Sequence, residues 1–174
     1  INLSEDIGCI NDRSCFTVSR HGIKILCFWT DDGPACAYVR GKEAGWKPLW
    51  EPIIDAIDGL EKDQVPAIAA DQFVKTCGGY QPITQQACFG EWAVLATEGN
   101  CTFRYDLRGL IAYINGELDQ PVVAVRNNSN TDIFPCDVLF PIAVTKAGVV
   151  STSGRPRLFG GRQGYLYELD APDY

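Results

Sequence analysis

Methionine is absent from this chain of 174 residues, and histidine occurs once, at His21. The second scarcity removes much of the familiar chemistry of neutral pH. A Cys–His or Ser–His pair needs an imidazole base, and a single histidine cannot complete a Cys2His2 zinc pairing. There is no Cys-x-x-Cys, no Gly-x-Ser-x-Gly and no glycine-rich loop ending in Gly-Lys-Ser/Thr. The compact signatures of dithiol redox centres, serine hydrolases and phosphate loops are therefore missing. Asp31-Asp32-Gly33-Pro34 lacks the alternating oxygen ligands and closing glutamate of a calcium loop. No cofactor is implied. Positive charge is also short: 15 Lys and Arg against 22 Asp and Glu give a net charge of −7. That balance disfavours nucleic acid and anionic membranes, which bind clustered Lys and Arg. No apolar run approaches the roughly 20 residues of a transmembrane helix.

What the chain has instead is eight cysteines: Cys9, Cys15, Cys27, Cys36, Cys77, Cys88, Cys101 and Cys136. An even count with no metal motif reads as up to four disulfides, in a protein made for an oxidising compartment. At least six of the eight are expected to be bridged. Each bridge adds about 2–4 kcal/mol, mainly by restricting the unfolded chain. The 46% hydrophobic content is ordinary, so the bridges do not replace a missing core. The expected location is extracellular or periplasmic. Because the chain opens on Ile1, we expect either a signal segment already removed or a trimmed chain. Three Asn-x-Ser/Thr sequons, at Asn2, Asn100 and Asn127, are candidate glycosylation sites, against the even chance that such triplets arise at random.

Strand patterns dominate. Residues 1–12 are polar and form a candidate extended arm. Ser14–Arg20, Ile23–Thr30 and Ala35–Arg40 read as three antiparallel strands joined through His21-Gly22 and Asp31-Asp32-Gly33-Pro34. Between residues 50 and 77 the period changes. Trp50, Ile53, Ile54 and Ile57 recur at helical spacing, with Pro52 tolerated in a first turn. A second helix is expected from Pro66, ending near Cys77 with Gly78-Gly79 as its cap. Strands resume at Phe89–Thr97, Cys101–Leu107, Leu110–Ile114, Val122–Arg126, Val138–Thr145, Gly148–Ser153 and Gly164–Leu169, with Asn115-Gly116 as a hairpin turn. The expected fold is α+β and β-rich: antiparallel sheet or sheets with one or two helices inserted around residues 50–77, disulfide-stapled, in a single domain spanning 1–174.

Cys9–Cys15 is the first pairing to expect, as a short loop. For Cys27–Cys36, a turn using all four residues from Asp31 to Pro34 puts Trp29 opposite Cys36. Cys27 then lies one diagonal step away, at about 7–8 Å between Cα atoms. That exceeds the roughly 6.8 Å a disulfide spans, unless a bulge closes the gap. The alternative partners are Cys77, Cys88, Cys101 and Cys136.

Two further groups are candidate contact sites. Trp46, Trp50 and Trp92 are candidate carbohydrate-stacking residues, near the carboxylates Glu51, Asp55, Asp58 and Glu91. The competing reading puts Trp46 and Trp50 on a core-facing helical stripe continued by Ile53, Ile54 and Ile57. Arg155, Arg157 and Arg162 lie among Gly154, Gly160, Gly161 and Gly164. They are candidates for contact with an anion or a partner's acidic surface, against a mobile, solvated hairpin.

Val149-Val150-Ser151-Thr152-Ser153 resembles the Ser-Thr-Ser strand of ADP-ribosyltransferase toxins, which implies a downstream Glu-x-Glu loop. Glu168 follows, but no Glu-x-Glu does, so the catalytic pattern is incomplete. Cys9, Cys15, Gly22-Ile23, Cys27, Cys36 and Trp50-Glu51-Pro52 resemble the cysteine spacing and Trp-Glu-Pro of periplasmic conjugation-system proteins. That resemblance implies an envelope or assembly role. The function to expect is non-enzymatic surface interaction or assembly, as an envelope, appendage or adhesin-like component with protein partners. A carbohydrate-binding or carbohydrate-active protein is the alternative, and a secreted hydrolase of unknown class a third.

Overall fold

Short turns build the first half of the molecule. The computed structural model describes residues 8–10, 12–57, 76–90, 100–128, 138–144, 155–162 and 165–168. Within it β1 (Phe16–Arg20), β2 (Ile23–Thr30), β3 (Gly33–Arg40) and β4 (Glu43–Pro48) form one antiparallel sheet in sequence order. His21 (φ 50°) and Gly22 (φ 78°) are both left-handed, the requirement of a tight primed turn between twisted strands. The expected three-stranded meander thus has a fourth strand. β4 escapes a pattern search because Gly45, Lys47 and Pro48 interrupt any run of strand formers.

The turn after β2 also differs from expectation. It uses only Asp31 and Asp32, so Thr30 pairs with Gly33, and Cys27 falls directly opposite Cys36. Gly33 carries φ 123°, and a Cβ there would lie 2.6 Å from Ile57 Cδ1 and 2.8 Å from Trp50 Cβ. Only glycine satisfies both constraints. Thr30 closes the turn by donating its hydroxyl to the Gly33 carbonyl at 2.8 Å.

Ahead of β1, the backbone N–H of Ile10 donates to the Trp29 carbonyl at 3.0 Å, and Ser14 Oγ accepts from the Trp29 N–H at 3.0 Å. Residues 8–10 and the 3-10 turn Asp12–Ser14 are therefore tied to the end of β2. Residues 1–7 and 11, the rest of the expected arm, lie outside the described residues.

The helical segment at 50–77 is short where it is described. A 3-10 turn, Glu51–Ile53, with Pro52 in its first turn, runs into α1 (Ile54–Ile57). Residues 58–75, including the expected second helix from Pro66, lie outside the described residues. Its expected end is corrected: Cys77, Gly78 and Gly79 belong to strand β5 (Cys77–Gln81), not to a helix cap. A Cβ on Gly78 would lie 2.6 Å from the Ser14 carbonyl oxygen and 2.7 Å from the Phe16 ring. The glycine is there for close approach of the two sheets, which is why it read as a breaker.

β5, β6 (Gln86–Gly90), β7 (Asn100–Asp106) and β8 (Val123–Asn128) make a second four-stranded antiparallel sheet. Between β7 and β8 runs α2 (Leu107–Ile114), where a strand was expected over Leu110–Ile114. The Asp106 carboxylate accepts from the backbone N–H of Arg108 at 2.9 Å and of Gly109 at 3.1 Å, an N-cap. Asn115-Gly116, the expected hairpin, instead ends this helix. Gly116 (φ 76°) donates its N–H to the Tyr113 carbonyl at 3.0 Å. Leu107, Leu110, Tyr113 and Ile114 are the buried face. A three-stranded sheet, β9 (Val138–Val144), β10 (Arg155–Arg162) and β11 (Tyr165–Glu168), has β10 in its centre. The α+β, β-rich architecture is therefore observed. The expected strand over Gly148–Ser153 lies outside the described residues.

One core joins the two four-stranded sheets. From the first come Val18, Ile23, Ile25, Cys27, Trp29, Cys36 and Leu49. From the second and α2 come Ala87, Phe89, Phe103, Tyr105 and Leu110. Trp29 sits at the junction, its ring centroid 5.7 Å from Phe89, edge on, and 6.1 Å from Phe103. A polar contact crosses the same junction. Leu49 donates its N–H to the Pro34 carbonyl at 2.8 Å. A regular antiparallel pair would return a bond from residue 34 to the Leu49 carbonyl, but proline has no N–H. The Tyr105 hydroxyl donates there instead, at 2.8 Å. Among the described residues no helix is long and apolar enough to cross a membrane.

Candidate functional site

Four cysteines cluster about the first sheet, two in the lead-in to β1 and two midway along β2 and β3. Cys9 and Cys15 are exposed and neighbour each other closely enough for Cys9 to raise the Cys15 thiol; Cys9 Sγ lies 3.7 Å from Ser14 Oγ. Cys15 immediately precedes Phe16, which pairs with Cys27, and Cys27 pairs with Cys36. Cys27 and Cys36 are both fully buried. Their pairing type follows from Pro34. Its carbonyl faces β4, accepting from Leu49, so Trp29–Pro34 is a non-hydrogen-bonded pair. Two steps along an unbroken ladder, Cys27–Cys36 is another, the type in which Cα atoms approach to about 4.5 Å. That lies within the span of a disulfide. The expected diagonal offset between these cysteines is thus corrected to direct opposition.

Partial burial, then the neighbouring Cys9, then Asp12 raise the Cys15 thiol from 9.0 to about 11. Burial, followed by Cys36 and Cys15, pushes Cys27 well up. Burial lifts Cys36 from 9.0 to about 12 against the opposing pull of Lys47. All three are held as neutral thiols at neutral pH. None of the six cysteines whose side chains are described (Cys9, Cys15, Cys27, Cys36, Cys77 and Cys88) is joined in a disulfide, so the expected stapling is not a feature of this structure. Cys77 and Cys88 are buried in the second sheet. Cys101 is a backbone position of β7 opposite Asn127, and Cys136 lies outside the described residues.

The tryptophan candidates separate. Trp46 is on β4 and Trp50 just beyond it, so their spacing of four is not a helical stripe. Both are half-buried and stack on each other, centroids 6.4 Å apart at 28°. Trp92 lies outside the described residues, as do Asp58 and Glu91. Trp46 shares a face with Ala37, its cross-strand partner, and both pack with Phe28 and Ala35 in a small cluster separate from the main core.

Sequence reasoning missed the rest of that face. Leu26 and Val39 remain 38% and 42% exposed on the outer side of the first sheet. They border an open hollow of about 380 Å³ that also involves Thr17, Ser19, Lys24 and Ala37. The available signal was the strand period: Leu26 and Val39 are large apolar residues at positions whose phase points away from Ile25 and Cys27.

Arg155, Arg157 and Arg162 are spread along β10, paired with Val144, Ile142 and Tyr165, and Arg162 is the last residue of β10 where it pairs with the start of β11. Of the sequons, Asn100 and Asn127 are strand positions on β7 and β8, and Asn2 lies outside the described residues. His21 is an exposed turn residue whose Nε2 accepts from Arg20 Nε at 3.1 Å. Among the described residues no three His, Cys, Asp or Glu side chains gather as a metal site. On the inner side, Lys47 Nζ lies 5.0 Å from the Tyr113 ring centroid. Comparison with known proteins finds no matching family model, no matching curated protein and no matching solved structure.

Proposed function

We propose that this is a non-enzymatic, extracytoplasmic protein, extracellular or periplasmic, that acts by surface interaction or assembly as an envelope, appendage or adhesin-like component. The observation that carries the reading is the outer face of the first sheet. An antiparallel sheet with one face in the core ordinarily turns polar residues outward. Here Leu26 and Val39 stand exposed next to the buried Ala37, and the half-buried, stacked Trp46 and Trp50 pack over the apolar cluster on the same face. Large apolar side chains left exposed beside a partly covered apolar cluster suit a contact surface. Eight cysteines support an oxidising compartment, where native bridges would add to the fold described above. Light scattering after size-exclusion chromatography and chemical cross-linking test the reading, on the wild type and on a Leu26→Lys/Val39→Lys double variant. The wild type is expected to self-associate or to bind a partner protein, and the variant to lose this while keeping its circular dichroism. A wild type that stays monomeric and binds no protein or surface overturns it.

The stacked Trp46–Trp50 rings favour a second reading, carbohydrate binding, because half-exposed aromatic faces accept the apolar side of a sugar ring. Glycan-array binding with tryptophan fluorescence quenching discriminates. A Trp46→Ala variant with unchanged array signal and unchanged quenching removes it.

A further inference from the structure

The four cysteines of the first sheet are graded from solvent to core, and nothing in the assembly reading uses that order. Cys9 and Cys15 are exposed neighbours: Cys9 Sγ lies 3.7 Å from Oγ of Ser14, the residue before Cys15. Cys27 and Cys36 are fully buried on directly opposed strand positions. Cys15 is the residue next to Phe16, and Phe16 is opposite Cys27, so the exposed pair abuts the buried one.

We propose that these residues form a thiol relay in which Cys15 passes oxidising equivalents from a soluble disulfide to the buried Cys27–Cys36 pair. The oxidant is a low-molecular-weight or carrier disulfide, R–S–S–R. Cys15, deprotonated to its thiolate, attacks one sulfur of R–S–S–R, forming Cys15–S–S–R and releasing one RS⁻, which takes up the proton Cys15 gave to solvent. Cys9 then attacks Cys15, forming the Cys9–Cys15 bridge and releasing the second RS⁻. Cys27, deprotonated to its thiolate, attacks the Cys15 sulfur of that bridge, and Cys9 leaves as a thiolate. Cys36 attacks Cys27 in turn, and Cys15 leaves. The net change oxidises two thiols to Cys27–S–S–Cys36 and reduces one R–S–S–R to two R–SH. A second oxidant molecule restores the Cys9–Cys15 bridge. Every step is thiol–disulfide exchange, whose rate follows thiolate fraction and access. Access is what separates the pairs here: the oxidant reaches Cys15 directly but reaches Cys27 only through Cys15 or by opening of the sheet.

The test uses reduced full-length protein and oxidised glutathione as the probe, quenched over time by alkylation and read by non-reduced peptide mapping. In the wild type the Cys9–Cys15 bridge is expected first and Cys27–Cys36 second. Cys15→Ser is expected to slow Cys27–Cys36 closure by about tenfold or more in native buffer, and to leave it unchanged in urea, where burial no longer matters. Cys9→Ser should still close the buried pair, because the Cys15–glutathione mixed disulfide can be attacked by Cys27 directly. Both substituted positions are exposed, and circular dichroism confirms the fold of each variant. Native closure in Cys15→Ser at the wild-type rate overturns the relay. So does Cys27 mapped to Cys77, Cys88, Cys101 or Cys136, or a Cys9→Ser variant slowed as much as Cys15→Ser.

Discussion

The two four-stranded sheets are built by opposite strategies. In the first, every connection is a two-residue turn: His21-Gly22, Asp31-Asp32 and Gly41-Lys42. Register is then set within a few residues of each pair, and a shift there changes which residues oppose one another without changing the kind of structure formed. In the second, the path from β7 to β8 passes through α2, which is started by a carboxylate at the end of a strand and stopped by Gly116. The turn before β6 is also held from a distance, since Leu107 donates its N–H to the Gln85 carbonyl at 2.9 Å. Local chemistry fixes the first sheet; the second depends on groups far apart in sequence.

That contrast can be broken most severely at the junction. Trp29→Ala removes the ring that touches Phe89 and Phe103 and is expected to cost about 3–5 kcal/mol, read as a lower urea midpoint with both sheets lost together. Separate transitions by hydrogen exchange would mean that the sheets are independent units. Alkali probes the first sheet's thiols next. Cys36 holds its proton from 9.0 up to about 12 in the folded protein, whereas the unfolded chain releases it near its ordinary value. The folded state then binds more protons, so stability falls as pH rises from about 9 to about 12, by up to about 1.4 kcal/mol per pH unit from this group. Urea titrations of reduced protein at successive pH values measure the slope, and the oxidised protein with Cys27–Cys36 closed should lose this contribution.

Tyr105→Phe leaves the Leu49 carbonyl without its donor from the opposite sheet and is expected to cost about 1–3 kcal/mol with little change in packing. Asp106→Ala tests the second sheet alone. Loss of the α2 N-cap is expected to cost about 1 kcal/mol, with amide exchange accelerated in α2 and not in β1–β4. The smallest effect sharpens the first sheet: His21→Asn, at φ 50°, should gain a few tenths of a kcal/mol because Asn is better suited to that turn position. A loss there would mean that the His21 contact with Arg20 outweighs backbone preference.

Legibility in the sequence follows the same divide. β2 was readable to its ends because Ile23 to Thr30 is a run of strand formers bounded by turn residues. The turn after it was misread by two residues, since Gly33-Pro34 looks like turn material and belongs to β3. No pattern reveals that Gly33 yields to Ile57 and Trp50. α2 was misread as a strand because Leu110-Ile111-Ala112-Tyr113-Ile114 suits either structure and Asp106 was not recognised as a cap. For the candidate site, the Cys9–Cys15 proximity was legible from loop length. The opposition of Cys27 and Cys36 required the turn. The outer face was hidden because Leu26 and Val39 are unremarkable until the sheet's inner side is known.

The Tyr105–Leu49 hydrogen bond limits how the layers can slide. Apolar side chains pressed between two sheets resist separation strongly but resist shear weakly, since one close-packed arrangement can be exchanged for another offset by a small translation. A hydroxyl directed at a single carbonyl, 2.8 Å away, loses that partner on a small translation. Because proline at position 34 leaves that one acceptor open, the molecule carries a locating peg between its layers. A load applied along the strands would meet its first directional resistance there.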